Sequence, residues 1–196
     1  GGFLYFAVGT SDTRRVTTER IDAFSDCAVL YEGSTHKLCV CKNHGEILSY
    51  ETKTSSVSPN IKLTSYNPAS NGITFSSKAP KLDYICSHHN RIYGVSNADK
   101  TLYISALGKP TDFYTYSGDA DSYAVAVGSN GDFTAICSYG GGVLVFKENS
   151  LVKVFGSSPS DFYTNEYTLS GVQSGSNRSL QIVDETLYYK GVHGVY

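Results

Sequence analysis

The segment Pro110-Thr111-Asp112-Phe113-Tyr114-Thr115 returns as Pro159-Ser160-Asp161-Phe162-Tyr163-Thr164, displaced by 49 residues. The same displacement carries Thr101-Leu102 onto Ser150-Leu151 and Val95 onto Leu144, so the match spans a strand, a turn, another strand and a loop. Weaker copies of the hairpin stand at Lys37-Leu38-Cys39-Val40-Cys41 with Glu46-Ile47-Leu48-Ser49-Tyr50, and at Thr186-Leu187-Tyr188-Tyr189 with Val192 to Tyr196. A period of about 45–50 residues made of short strands is the pattern of one four-stranded propeller blade per repeat. A blade has two apolar faces and hides neither alone, so blades must stack until a ring closes. Phe3 to Val8, followed by Arg14 to Arg20, supplies strands for a fifth copy or completes the last one. The expected fold is therefore all-β, a small β-propeller of about five blades of antiparallel strands, in a single domain over 1–196. A β-sandwich is the alternative.

Local patterning agrees with strands. Runs rich in Val, Ile, Tyr, Phe and Thr are cut every five to seven residues by Gly, Asn, Asp or Ser, which is the strand-and-turn signature. The clearest hairpins are Arg91 to Val95 with Thr101 to Ser105, turning at Ser96 to Lys100, and Asp132 to Cys137 with Val143 to Lys147, turning at Gly140-Gly141-Gly142. Glycine suits such turns because it reaches positive φ without a Cβ clash. Only Ser11 to Phe24 reads as a helix candidate, and Thr17, Thr18 and a weak apolar stripe argue against it.

Composition narrows the function. Hydrophobic residues make up 40% and aromatic residues 13% of the 196 residues, enough apolar area to offset ordering entropy. A net charge of −2 is unlike the strongly basic balance of nucleic-acid or membrane-surface proteins. No apolar run approaches the roughly 20 residues a membrane-spanning helix needs. The chain has no Met and opens on Gly1-Gly2, so a fragment of a longer chain is expected, and with it an exposed edge prone to self-association if strands continue past Tyr196. The five cysteines, Cys27, Cys39, Cys41, Cys86 and Cys137, are odd in number and scattered, which suits free core thiols better than a disulfide framework.

Each candidate site has a plain structural alternative. His88-His89 is the one histidine pair; strand neighbours point to opposite faces, so an exposed turn is expected rather than a metal site. Cys39-Val40-Cys41 with His44 has soft ligands at close spacing but lacks the second pair of a structural zinc site. Asp119-Ala120-Asp121 opens like a calcium loop, without the Gly and distant Glu that complete one. Asp112 and Asp161 are carboxylates of the kind that run glycoside hydrolysis, yet repeat-equivalent positions belong to separate blades and suit turn formation. Phe113 and Phe162 are expected to seal the seams between blades. No Gly-x-Ser-x-Gly elbow, His-Glu-x-x-His or phosphate-binding loop occurs, so no catalytic, cofactor-binding or metal residue is expected. The 16 tyrosines leave a carbohydrate- or protein-binding surface as a further option.

Several of these segments together resemble a known family. Arg91-Ile92-Tyr93-Gly94-Val95, Leu102-Tyr103-Ile104-Ser105 and Pro110-Thr111-Asp112-Phe113 form one block. Gly141 to Ser150, Phe155-Gly156, Pro159-Ser160-Asp161-Phe162, Gly171 and Asp184 to Tyr189 with His193-Gly194-Val195-Tyr196 form the next. This order, over about residues 82–196, is similar to the β-propeller domains of tailed-bacteriophage and prophage tail or head-to-tail proteins. The resemblance implies a non-enzymatic virion component, assembled in the bacterial cytoplasm, whose partners are other virion proteins or itself, with no nucleic acid and no membrane. The alternative is a carbohydrate-binding or glycoside-hydrolysing propeller.

Overall fold

The computed structural model describes residues 80–110, 112–127 and 130–196, together with the strand backbone of six segments before them. Those six are β1 (Tyr5–Val8), β2 (Asp12–Arg15), β3 (Phe24–Glu32), β4 (Thr35–Lys42), β5 (Glu46–Thr54) and β6 (Ile61–Leu63). The fully described part holds β7 (Tyr84–His88), β8 (Arg91–Ser96), β9 (Thr101–Ile104), β10 (Tyr123–Ala126), β11 (Phe133–Tyr139), β12 (Gly142–Lys147), β13 (Ser150–Phe155), β14 (Tyr163–Thr168), β15 (Gln181–Val183) and β16 (Thr186–Tyr188). The fold is all-β. A single 3-10 turn at Asn177–Ser179 is the only helical element among the described residues, and no helix there is long and apolar enough to cross a membrane.

Consecutive strands pair with consecutive strands. Three antiparallel meanders follow one another, β3 to β6, β7 to β10 and β11 to β14, and two-stranded sheets β1-β2 and β15-β16 precede and follow them along the chain. Strand β2 and the start of β3 lie within Ser11 to Phe24, the one stretch with a helical alternative. Its Thr-rich, stripeless sequence favours extended backbone; residues 16–23 between them lie outside the described residues.

The faces of the sheets decide how they stack. On β7 to β9, Tyr93, Val95, Leu102 and Ile104 meet Ile136, Val143, Val145, Val152 and Val154 of the following sheet in one buried cluster. Leu82, Ile85, Ile92 and Phe113 form a separate cluster. Sheet β11 to β14 is also covered twice. Its second face, with Ala135, Leu144 and Phe146, packs under Val172, Leu180, Leu187 and Tyr189 from the C-terminal segment. Strands β8 and β12, second in their sheets, are buried at every residue: β12 is covered by a neighbouring segment on each face, and β8 by the following sheet on one face and by Leu82 and Phe113 on the other.

The repeat has structural counterparts, with one correction to its register. Lys109 O accepts from Asp112 N at 3.1 Å and Ser158 O accepts from Asp161 N at 3.0 Å, so both copies make the same turn after the third strand. Phe113 and Phe162 follow it into the core. Upstream the displacement of 49 slips. Leu102 pairs with Val95 and Leu151 pairs with Phe146, so Val95 corresponds to Phe146 and not to Leu144. The cause is the β8–β9 connection, 97–100, which is longer than 148–149 between β12 and β13.

In the three sheets whose first turn is described, the first hairpin closes on two left-handed residues. They are His89 (φ 45°) and Asn90 (φ 56°), then Gly140 (57°) and Gly141 (73°), then Asp184 (46°) and Glu185 (62°). Positive φ at both central positions fits the right-handed twist of the strands they join.

Candidate functional site: the Arg91-anchored loop

Arg91 is the polar side chain that organises this region. It opens β8 directly after the His89-Asn90 turn, so its register places it opposite His88, and only 1% of it is exposed. Its Nη1 donates to Ser105 O at 3.0 Å and to Asp121 O, and Nη2 donates to Asp119 O at 2.6 Å. The guanidinium also lies 5.7 Å from the centre of the Phe162 ring. A buried guanidinium with five fixed donors is suited to collecting carbonyls that would otherwise stay unpaired. Burial pulls its pKa down from the ordinary guanidinium range, and Tyr93, Asp121, Asp119 and Asp161 act against that shift.

These carbonyls belong to the connection between β9 and β10, residues 105–122, more than twice the length of its counterpart at 156–162. Further bonds hold the loop along its length. Ser122 Oγ accepts from Thr115 N at 2.9 Å and donates to Thr115 O at 2.7 Å, Leu107 N reaches Ala120 O at 2.7 Å, and Asp121 Oδ2 accepts from Ser117 N at 2.7 Å. Asp119 and Asp121, the opening of the calcium-loop pattern, thus offer their carbonyls to an internal cation, Arg91. Among the described residues, no three His, Cys, Asp or Glu side chains group as metal ligands do.

The repeat-equivalent carboxylates are engaged in turns. Both oxygens of Asp112 accept from Thr115 Oγ1 at 2.9 Å. Asp161 Oδ1 accepts from Ser157 N at 3.0 Å and Ser158 N at 2.7 Å, and these backbone donors, Ser158 first, hold its carboxyl below the ordinary range. They follow β9 and β13 respectively, on different sheets.

His88 is half-buried at the end of β7, and not in the exposed turn that the sequence predicts. Its Nδ1 shares a hydrogen bond of 2.8 Å with Ser138 Oγ of the following sheet. His89, in the turn, stacks on it at 3.9 Å, an arrangement that left-handed backbone allows and a straight strand does not. Desolvation, then the neighbouring His89, lowers the His88 pKa. Neither Cys86 nor Cys137 is joined in a disulfide, and burial pushes the Cys137 thiol up to about 12. The side chains of Cys27, Cys39 and Cys41, and His44 entirely, lie outside the described residues.

The surface of the loop is aromatic. Tyr114 is 47% and Tyr116 59% exposed. The Tyr116 phenol donates to Phe113 O at 3.0 Å, and Tyr103, packed beside the Phe113 cluster, donates to Asp99 Oδ2 at 2.6 Å. Burial first, then that bond to Asp99, pushes the Tyr103 phenol up. The sequence reveals the turn and its Phe but not Arg91, because nothing in an Arg-Ile-Tyr strand start signals a buried cation. No family model matches this chain, and no curated protein does either.

Proposed function

We propose that the chain is a stretch of a β-propeller of about five blades that serves as a non-enzymatic structural or interaction module of a phage or prophage virion. The observation that carries the propeller is that sheet β11 to β14 is covered on both faces by neighbouring segments. A two-layer sandwich would leave each sheet one outer face for solvent. Repetition of the left-handed first hairpin and of the Asp-Phe turn supports one unit used serially, which is how blades are built. The virion setting rests on the resemblance over about residues 82–196, and the partners it implies are other virion proteins or further copies of this chain.

The gene's surroundings test the setting. Neighbours encoding portal, capsid or tail proteins are the expected result; a locus devoted to carbohydrate metabolism, with chromogenic glycosides turned over by the purified chain, would overturn it. Glycoside hydrolysis is the weaker reading, because Asp112 and Asp161 commit oxygens to neighbouring turn groups.

A further inference from the structure

We propose that the 105–122 loop carries a shallow platform for a neutral saccharide, formed by Tyr114 and Tyr116 with Tyr103 and the Asp99 carboxylate beside them. It does not depend on ring closure or on a virion setting.

The first reason is the loop's length. The same Asp-Phe turn is made after β13 within 156–162, so turning the chain does not require the longer path taken at 105–122. Long ordered loops on a rigid sheet are where binding residues concentrate.

The second reason is rigidity. Arg91 fixes the loop from beneath through Ser105, Asp119 and Asp121, and Ser122 clasps Thr115 by both its N–H and its carbonyl. The Tyr116 ring is held at its backbone end and at its hydroxyl, which bonds Phe113 O. Rings fixed in this way lose little entropy when a ligand covers them, and tyrosine offers an apolar face with a polar rim. That combination matches a pyranose, whose axial C–H face packs on a ring while its hydroxyls need acceptors. Asp99 Oδ2 already receives the Tyr103 phenol, and a carboxylate has further lone pairs for sugar hydroxyls.

Charge selects among saccharides. After burial, Asp99 and the neighbouring tyrosines raise the Tyr103 and Tyr114 phenols, and Asp99 Oδ2 accepts from the Tyr103 hydroxyl at 2.6 Å. Arg91 is buried and committed to carbonyls, and Lys100 is paired with Asp132. An acidic sugar would meet the Asp99 carboxylate while Arg91 and Lys100 are engaged elsewhere, so a neutral one is favoured. A protein partner fits less well, since Ser117, Gly118 and Asp119 dilute the aromatics where a protein interface would need an apolar core.

The test uses the whole chain on an array of neutral, amino-bearing and acidic glycans, followed by titration with neutral hexasaccharides of glucose and of N-acetylglucosamine. With no Trp in the chain, tyrosine emission reports binding directly. We expect neutral glycans to bind and Y114A and Y116A each to weaken the titrated affinity about tenfold. Y167A, on the exposed edge strand β14, should leave it unchanged. The urea midpoint of Y114A should stay close to wild type, and that of Y116A should fall by no more than loss of the one Tyr116–Phe113 hydrogen bond allows. Absence of neutral binding, binding confined to acidic glycans, or affinity indifferent to both Y114A and Y116A would each overturn the proposal.

Discussion

His88, the last residue of β7, and Ser138 of β11 share a hydrogen bond of 2.8 Å across the seam between two sheets. Tyr139 stands at the register position of His88 one sheet later, immediately before the left-handed turn, and donates to Glu185 O at 2.7 Å. The residue that ends each of these first strands thus reaches the sheet that follows. Similar backbone geometry supplies both bridges, with different chemistry at each.

The His88 bridge should make stability pH-dependent in one direction. Burial lowers the folded pKa of His88 from 6.5, so below 6.5 the unfolded chain binds the proton more readily than the folded one. Stability attributable to this residue is complete above that value, falls as pH drops through it, and levels off below the folded pKa. His88→Gln keeps a hydrogen-bonding side chain and cannot titrate. Urea midpoints between pH 7.5 and 5 should fall more for wild type than for this variant; parallel profiles would show that His88 does not titrate in the seam.

Arg91→Ala should cost at least about 3 kcal/mol, because three carbonyls of the 105–122 loop lose their donor and each buried acceptor left unpaired costs about 1–3 kcal/mol. Arg91→Lys should fall between Ala and wild type, since an ammonium cannot reproduce the planar fork. Chemical denaturation gives the energies, and amide exchange should show the loss centred on 105–122.

Phe113 and Phe162 occupy different clusters despite their equivalent turns. Each change to Ala should cost about 3–5 kcal/mol, and the double variant should equal the two singles within about 0.5 kcal/mol. A coupling well beyond that would mean the two rings share one core. The measurement is equilibrium unfolding of the four members of the cycle, with a stabilising co-solute if the double variant is marginal.

Much of this architecture is readable from residue order. The β8–β9 and β11–β12 hairpins announce themselves because branched and aromatic runs meet Asn-Ala-Asp or Gly-Gly breaks. A turn before Arg91 is legible, but its position is one residue later than the His88-His89 pair suggests, because nothing in the sequence fixes where β7 ends and neither central residue is glycine. Strand β14, Tyr163–Thr168, is exposed at every position, so no apolar alternation marks it. The Arg91 network is illegible for a different reason: its partners are backbone carbonyls from a distant loop, and carbonyls have no sequence identity.

Cys137 provides a chemical check on the second seam. Burial pushes its thiol up to about 12, and only the thiolate attacks alkylating reagents quickly. In the folded chain at pH 8, iodoacetamide should modify Cys137 far more slowly than in urea, as read by peptide mass spectrometry. Equal rates would place this thiol in contact with solvent.

Two glycines separate strain from collision. Gly141 has φ +73°, and a Cβ there would meet nothing within 4 Å, whereas a Cβ on Gly171 would overlap Lys147 O. Gly141→Ala should therefore cost about 1–2 kcal/mol, the left-handed penalty alone, and Gly141→Asn less, since Asn tolerates that region. Gly171→Ala must move backbone that also carries the Gly171 N–H to Glu148 O bond of 2.9 Å, so its cost should exceed about 2 kcal/mol. Destabilisation should rise from Gly141→Asn through Gly141→Ala to Gly171→Ala, and thermal unfolding of the three variants reads that order directly. If Gly171→Ala proved the mildest, the close approach of the 169–172 segment to the β12–β13 turn would be wrong, and with it the covering of the second face of sheet β11 to β14.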